Sequence, residues 1–520
     1  MKFLSFYNKY IELIGGVNNK IDREIEHITD NNLKKEIIKL NSNIKDYIYD
    51  SSLLPVYDIK DLPTNVKYNE VALTTHVNCH IGQRKLLLNK LEFINKFVDL
   101  TKLNNIIVYA GSAPFESSSF FFNQFPNLKF ILIDASFHLV QKFKYIYQNT
   151  KVIDEANLEH YREFLYDTST KGRRKHIKDI VEKYQKVKFI YDDNEYNVFN
   201  IKENKKIMKK IKNKFKSDNN MINVILNDKT TNAFIIQDFL TIKLIKRLKN
   251  KLKNLNVYFI SDLRTFLYDN VPLDIDILEN SALQAIFLKK IKPINSMLKF
   301  RTLFFSKGDT TRNILNDTSD KYNKNKKTLL YLKRKYNIDM IKSYHNNKLL
   351  YFENNYILTQ PWAPHSSSES RMIISKDNID KDFIDYDSSI YENQFYFLKN
   401  IRLFKYYDIF IKYLKDNKEL HYDGCYDCSR ELMILIDYIN KNHIIEYNLN
   451  EITNSLKNEK VINRLVDLYK LIKEIIFFDL SRINYKCFHN RMLEQSKELK
   501  FYRNNKLFII DRNNNIKIIS

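Results

Sequence analysis

Two lysines and two carboxylates stand in four short, ordered segments: Gln83-Arg84-Lys85, Ser261-Asp262-Leu263-Arg264, Leu298-Lys299-Phe300-Arg301 and Ser367-Ser368-Glu369-Ser370-Arg371. Between the first two lies Tyr109-Ala110-Gly111-Ser112-Ala113-Pro114. Taking the proton from a ribose hydroxyl requires a base, and a lysine serves once burial or a neighbouring cation disfavours its ammonium form. Two lysines at one site supply that cation, while Asp and Glu orient the amines and balance charge. The glycine turn lets a nucleotide-like cofactor approach the backbone. Together these groups suit methyl transfer to an RNA ribose hydroxyl. In so lysine-rich a chain each lysine alone reads as a surface residue; the information lies in the ordered set.

The segments need elements to position them. Ile106-Ile107-Val108-Tyr109 reads as a buried strand closing on Gly111. Phe130-Ile131-Leu132-Ile133 reads as a second, ending at Asp134, and Val257-Tyr258-Phe259-Ile260 as a third, ending at Asp262. A helix is expected over about 83–98, with Leu87, Leu91 and Ile94 on one face, and a basic helix over about 238–253. Strands separated by helices predict a mostly parallel α/β sheet, whose chemistry sits at the carboxyl ends of its strands. Asp134 at such an end suits the hydroxyls of a ribose. There is no Gly-x-Gly-x-x-Gly and no Gly-Lys-Ser/Thr, which argues against a dinucleotide and a P-loop.

Residues 1–50 carry isoleucines and leucines at helical spacing and read as amphipathic helices. Residues 142–222 and 307–345 are rich in lysine and read as two insertions. In the first, Ile207, Ile211 and Phe215 share one helical face ringed by lysines. A solvated face is the first reading there, with RNA contact as the alternative. Helical periodicity returns over 391–490.

The chain has 520 residues, 85 Lys+Arg against 62 Asp+Glu, and a net charge of +23, which favours a polyanionic partner such as RNA, although Lys, Asn, Ile and Tyr enrichment of the AT-rich kind contributes to it. Hydrophobic residues make up 44%, enough for a large core. Four cysteines make no disulfide scaffold, no apolar run approaches a membrane span, and the N-terminus lacks a signal-peptide pattern, so a soluble, intracellular protein is expected. Cys425 and Cys428 form a Cys-x-x-Cys with His421 before it and Cys487 and His489 after. Free core thiols are the first reading and a zinc site the alternative. Trp362, the only tryptophan, is open to packing or to stacking on RNA.

These residues carry a resemblance. Gly82-Gln83-Arg84-Lys85-Leu86-Leu87-Leu88, Val108 to Pro114, Leu132-Ile133-Asp134 and Ile260 to Arg264 resemble the poxvirus cap-specific mRNA nucleoside-2′-O-methyltransferases. So do Ala282-Leu283-Gln284, Leu298 to Arg301, Gln360-Pro361-Trp362-Ala363-Pro364, Ser368 to Arg371, Tyr391-Glu392 and Tyr396-Phe397-Leu398. That family also serves as the regulatory subunit of viral poly(A) polymerase, and it belongs with the FtsJ-like RNA 2′-O-methyltransferases. The resemblance implies a Lys85, Asp262, Lys299 and Glu369 tetrad with Lys299 as base. It implies an S-adenosylmethionine site lined by Gln83, Tyr109, Gly111, Ser112, Ala113, Asp134 and Arg264. It places capped RNA against Arg301 to Phe304 and Ser367, Ser368 and Glu369, with Phe304 and Tyr68 stacking on the methylated guanine and Glu392 accepting its N–H groups. The chain departs from the family at Phe115, where a glycine is usual, at Ser136 and at Ser306; Phe115 would crowd the methionine end of the cofactor.

The expectation is therefore an α/β, Rossmann-like methyltransferase core over 81–390 with the two insertions. An N-terminal extension would cover 1–80 and a C-terminal helical region 391–520. The expected activity is conversion of cap 0 to cap 1, with capped mRNA and a poly(A) polymerase catalytic subunit as partners and the host cytoplasm or virus factory, with the virion besides, as location. The alternatives are a non-catalytic RNA-binding processivity factor of such a polymerase and a 2′-O-methyltransferase of uncapped RNA.

Overall fold

The computed structural model describes residues 56–57, 82–149 except 137, 187–198, 201–263, 274–301, 320–352 except 347, 355–363, 369–380, 383–395 except 393, 420, 422, 426–440, 453–475, 498–503, 506–511 and 516–519. The expected helices of residues 1–50 lie outside this set, as do Tyr68, Arg264, Phe304, Ser306, Ser367, Ser368, His421, Cys425, Cys487 and His489. The chain divides into two compact units, 1–96 with 357–370 and 387–520, and 97–356 with 371–386. Elements are numbered in chain order.

In the first unit, β1 (Val56–Tyr57) pairs antiparallel with β11 (Tyr356–Leu358), Val56 opposite Leu358. Helix α1 (Gly82–Phe97) falls where the apolar spacing predicts. Leu87, Leu91 and Ile94 are fully buried, but so is the polar stripe Lys85, Asn89 and Glu92. That stripe is matched by α10 (Tyr426–Asn440): Arg430 donates to Glu92 at 2.8 Å, and Asn95 donates to Asp437 at 3.1 Å. Burial pulls the Lys96 ammonium down to about 8 although Glu92 and Asp437 lie 3.5 and 3.9 Å away. A polar helical stripe can be buried only where each charge meets a partner, which explains why α1 and residues 357–370 group with the C-terminal residues. Helix α11 (Glu459–Ile475) packs on α10. An antiparallel sheet of β14 (Glu498–Arg503), β15 (Lys506–Asp511) and β16 (Ile516–Ile519) follows. The helical reading of 391–520 did not include these strands, whose short apolar runs carry a weak period.

The second unit is α/β, with a mostly parallel mixed sheet. Its strands are β2 (Asn105–Ala110), β3 (Lys129–Asp134), β4 (Lys142–Gln148), β5 (Lys188–Tyr191), β6 (Asn194–Asn197), β7 (Ala233–Gln237), β8 (Asn256–Ser261) and β9 (Asn295–Arg301). They lie in the order β9-β8-β2-β3-β7-β4-β5-β6, with β12 (Glu369–Ser375) beside β9. All these β2–β9 pairings are parallel except β5–β6. The central strands are Ile/Val/Phe/Tyr-rich and buried along almost their whole length, as a sheet covered on both faces requires. Around them lie α2 (Ser118–Gln124), α3 (Ile201–Ser217), α4 (Met221–Asn227), α5 (Ile242–Lys251), α6 (Asp274–Ile291), α7 (Asp320–Tyr336), α8 (Met340–His345) and α9 (Lys376–Ile379). β10 (Lys348–Phe352) and β13 (Phe383–Asp387) pair separately. Thr241 caps α5 by accepting from Leu244 N, a local reason for that helix to start there. The span 142–222, read as an insertion, supplies β4 and β5 to the sheet as well as α3.

Candidate functional site

Strand order reverses at β2, which has β3 on one side and β8 on the other. In open α/β sheets the crevice at such a point holds the ligand. Gly111 closes β2 with φ +72, and a Cβ there would lie 2.5 Å from the Asp262 carbonyl oxygen and 2.8 Å from Leu263 N. The glycine is thus required by the close approach of two strand-end backbones, β2 to β8. Asp262 N donates to Ala110 O at 2.8 Å and Gly111 N to Ile133 O at 2.9 Å, which locks the three ends in register.

On that frame Asp262 receives two cations. Lys299 Nζ donates to its Oδ1 at 2.9 Å, and Arg371 Nη1 lies 3.0 Å from the same oxygen. The Lys299 and Asp262 side chains keep 10% and 12% of their exposure, whereas Arg371 keeps 1%. The carbonyl of Lys299 accepts from Gln284 Nε2 at 3.1 Å, so α6 fixes the backbone that carries the amine. Nothing local in the sequence gives Arg371 a role. Its only signal there was a position two residues past Glu369, which puts both on one face of β12.

The turn after Gly111 is tied at several points. Asp134 Oδ2 accepts from Ala113 N at 3.0 Å and Oδ1 from Ser136 N at 2.8 Å. Burial pushes the Asp134 carboxyl up to about 6, and the Asp262 charge adds to it against those backbone donors. Ser112 Oγ lies 2.7 Å from His138 Nε2, with both residues buried, and burial holds His138 down near 3 as a neutral ring. Sequence reading gave His138 no part, since a lone histidine carries no periodic signal. Phe115, φ +49, is buried among Phe121, Phe130 and Phe122, with Tyr109 edge-on at 5.7 Å. Its ring therefore fills the core behind the turn, and Tyr109 shares that core.

In the first unit Lys85 Nζ donates to Glu369 Oε1 at 2.9 Å, with side-chain exposures of 3% and 6%. Gln360 braces the pair: it accepts from Asn89 Nδ2 and donates to Glu369 O, both at 2.9 Å. Next to Lys85, Arg84 Nε reaches Glu431 Oε2 at 2.8 Å and Arg84 Nη2 reaches Oε1 at 2.5 Å. Trp362 Nε1 and Tyr422 Oη also donate to Glu431, at 2.7 and 2.9 Å. Burial works against the Arg84 cation, but Glu431 outweighs it and the pKa is raised. The Trp362 ring lies under the Arg84 guanidinium at 5.2 Å and its backbone N–H donates to Asp427 Oδ1 at 3.1 Å, so the tryptophan packs.

Gln83, Gly111, Ala113, Arg301 and Glu392 are half-buried. Cys428 is buried, and no three metal-ligating side chains cluster among the described residues. No helix among them is long and apolar enough to cross a membrane. The donor set fits an adenosine-containing cofactor in kind: Asp134 keeps acceptor capacity for hydroxyls at a strand end. No curated protein matches the chain. Over residues 52–185 and 218–316, the chain matches the family of the poly(A) polymerase regulatory subunit.

Proposed function

We propose that this protein is an S-adenosylmethionine-dependent RNA 2′-O-methyltransferase that acts on the first transcribed nucleotide of capped mRNA. In this reading it also serves as the regulatory subunit of a poly(A) polymerase. The observation that carries the catalytic part is the Asp262-held Lys299 amine at the carboxyl ends of β8 and β9, beside the Gly111 turn. As a free amine, Lys299 Nζ takes the proton of the ribose 2′-hydroxyl while Asp262 steadies the ammonium that forms. A base of this kind contributes about 10²–10⁴-fold. Arg371 shares the same Asp262 oxygen, so the carboxylate is divided between two cations. Lys85 and Glu369 complete the tetrad implied by the resemblance. S-adenosylmethionine would supply the methyl group on a sulfonium that is its own leaving group. Asp134 would accept from its ribose, and the backbone of Gly111 to Ala113 would line it. Arg301 and Glu392, with Phe304, Tyr68, Ser367 and Ser368, would receive the cap and the RNA. The cytoplasm or the virion is the location that goes with this role.

The family match favours a second reading, a processivity subunit with no chemistry of its own. Methyl transfer to cap 0 RNA by the unaltered chain and by Lys299→Ala separates the two. No transfer by the unaltered chain sinks the enzyme, and transfer unchanged in Lys299→Ala sinks the mechanism. Equal transfer to uncapped RNA removes the cap from the proposal. Stimulation of a poly(A) polymerase that survives Lys299→Ala shows a separable second role.

A further inference from the structure

The family match passes over residues 186–217, the span that holds β5, β6 and α3. One face of α3 is anchored. Met208, Ile211 and Phe215 are buried, and the Phe215 ring lies 5.0 Å from that of Tyr147 on β4. Just past the helix, Asp218 O accepts from Lys251 Nζ of α5, which also stands 5.1 Å over the Phe215 ring. These contacts fix the rotation of the helix and commit its other face to solvent. Along that face Lys206, Lys210 and Lys214 recur every four residues, flanked by Lys205, Lys209 and Lys216, all exposed. Among the described residues none of the six forms an ion pair. The other lysine-rich helix, α7, differs: Lys333 pairs with Asp339. Tyr331 of α7 sits under Lys246 and Lys290.

Unpaired like charges at four-residue spacing oppose a helix. An ordinary solvated face interleaves acids to relieve this. Successive rungs rise about 6 Å along the axis, close to the spacing of neighbouring phosphates on one polynucleotide strand. The rungs are lysines, which act as point charges on flexible stems and lack the planar fork used to read bases. We propose that the outer face of α3 binds the phosphate backbone of single-stranded RNA without reading its sequence, a surface added by this chain between the matched blocks. The assignment rests on the reading that RNA is the substrate.

The test compares the full chain with its Lys206→Gln/Lys210→Gln/Lys214→Gln variant, using uncapped single-stranded RNA of mixed sequence as the probe. Three released counterions make the expected loss of affinity between about 50 and about 200 mM salt roughly 20-fold smaller in the variant than in the unaltered chain. An unchanged melting temperature shows that the exposed substitutions leave the fold intact. Equal salt slopes overturn the surface. Unaltered RNA binding combined with lost binding to polyglutamate also overturns it and assigns the face to an acidic protein. Because the readout is binding, equal slopes leave the proposed reaction standing. Absence of methyl transfer by the unaltered chain sinks the reaction and leaves the slope test valid.

Discussion

Two lysine–carboxylate pairs, one in each unit, share the same 2.9 Å separation and differ in depth. Lys85 and Glu369 keep 3% and 6% of their side-chain exposure, Lys299 and Asp262 10% and 12%. The deeper pair is surrounded by structural bonds: Gln360 braces Glu369, and the neighbouring Arg84 is locked to Glu431. The shallower pair keeps slightly more exposure, and its carboxylate also meets a second cation, Arg371. A buried pair resists losing either member, because the survivor is left as an uncompensated charge. A pair whose carboxylate keeps a second cation loses its lysine at less structural cost. In the proposed reaction the shallower pair moves the proton, while the deeper pair, the other two members of the tetrad that the resemblance implies, also holds the fold.

The strongest way to break this contrast is Lys299→Ala. Methyl transfer is expected to fall about 10²–10⁴-fold with the melting temperature nearly unchanged, since Arg371 still compensates Asp262. A large drop in melting temperature would put the two pairs in one class. Glu369→Ala is the mirror experiment. Denaturant titration should show a loss of about 3–5 kcal/mol, most of it recovered in Lys85→Met/Glu369→Leu, where no orphan charge remains. If the double variant were as unstable as the single one, the cost would lie in packing.

Gly111→Ala tests the frame beneath the shallower pair. Its φ of +72 and the 2.5 Å approach to Asp262 O predict a stability loss of about 1–3 kcal/mol or more, read by thermal unfolding. Full stability would mean that the β2 and β8 ends tolerate separation.

The smallest effect expected is a pH dependence at Asp134. Its folded pKa near 6 lies above the unfolded value of about 3.9. The protonated carboxyl thus favours the folded state. That contribution is complete below about pH 4 and is lost as pH rises through about 6. Cofactor affinity should run the other way, because only the ionised carboxylate accepts from two ribose hydroxyls at full strength. Binding of S-adenosylhomocysteine, followed by calorimetry, should weaken below about pH 6, and Asp134→Asn should flatten the curve. His138, held neutral down to about 3, stays silent in this window. A pH-independent affinity in the unaltered chain would remove Asp134 from the cofactor site.

Much of the second unit was legible in sequence. The strands ending at Gly111, Asp134 and Asp262 lie within a residue or so of their expected bounds, because uninterrupted Ile/Val/Phe/Tyr runs read as buried parallel strands. The ordered segments also named both ion pairs, although their pairing, Lys85 with Glu369 and Lys299 with Asp262, was not legible. Less of α1 was readable. Lys85, Asn89 and Glu92 have the spacing of a solvated face, and nothing local announces that Arg430 and Gln360 meet it hundreds of residues away. Phe115 was misjudged for the same reason. A residue type at a turn says nothing about which side its ring takes, and the Phe121, Phe122 and Phe130 cluster decided that.

By itself the sequence determined the α/β class, the strand ends, the basic charge and the four segments that carry the two ion pairs, because these follow from local periodicity and residue chemistry. Tertiary structure alone decided which carboxylate each lysine faces, that Arg371 joins Asp262, and that the stripe on α1 is buried. Pairing, depth and the compensation of charge depend on residues far apart in the chain. Their energies are set by the dielectric and the partners that folding brings together.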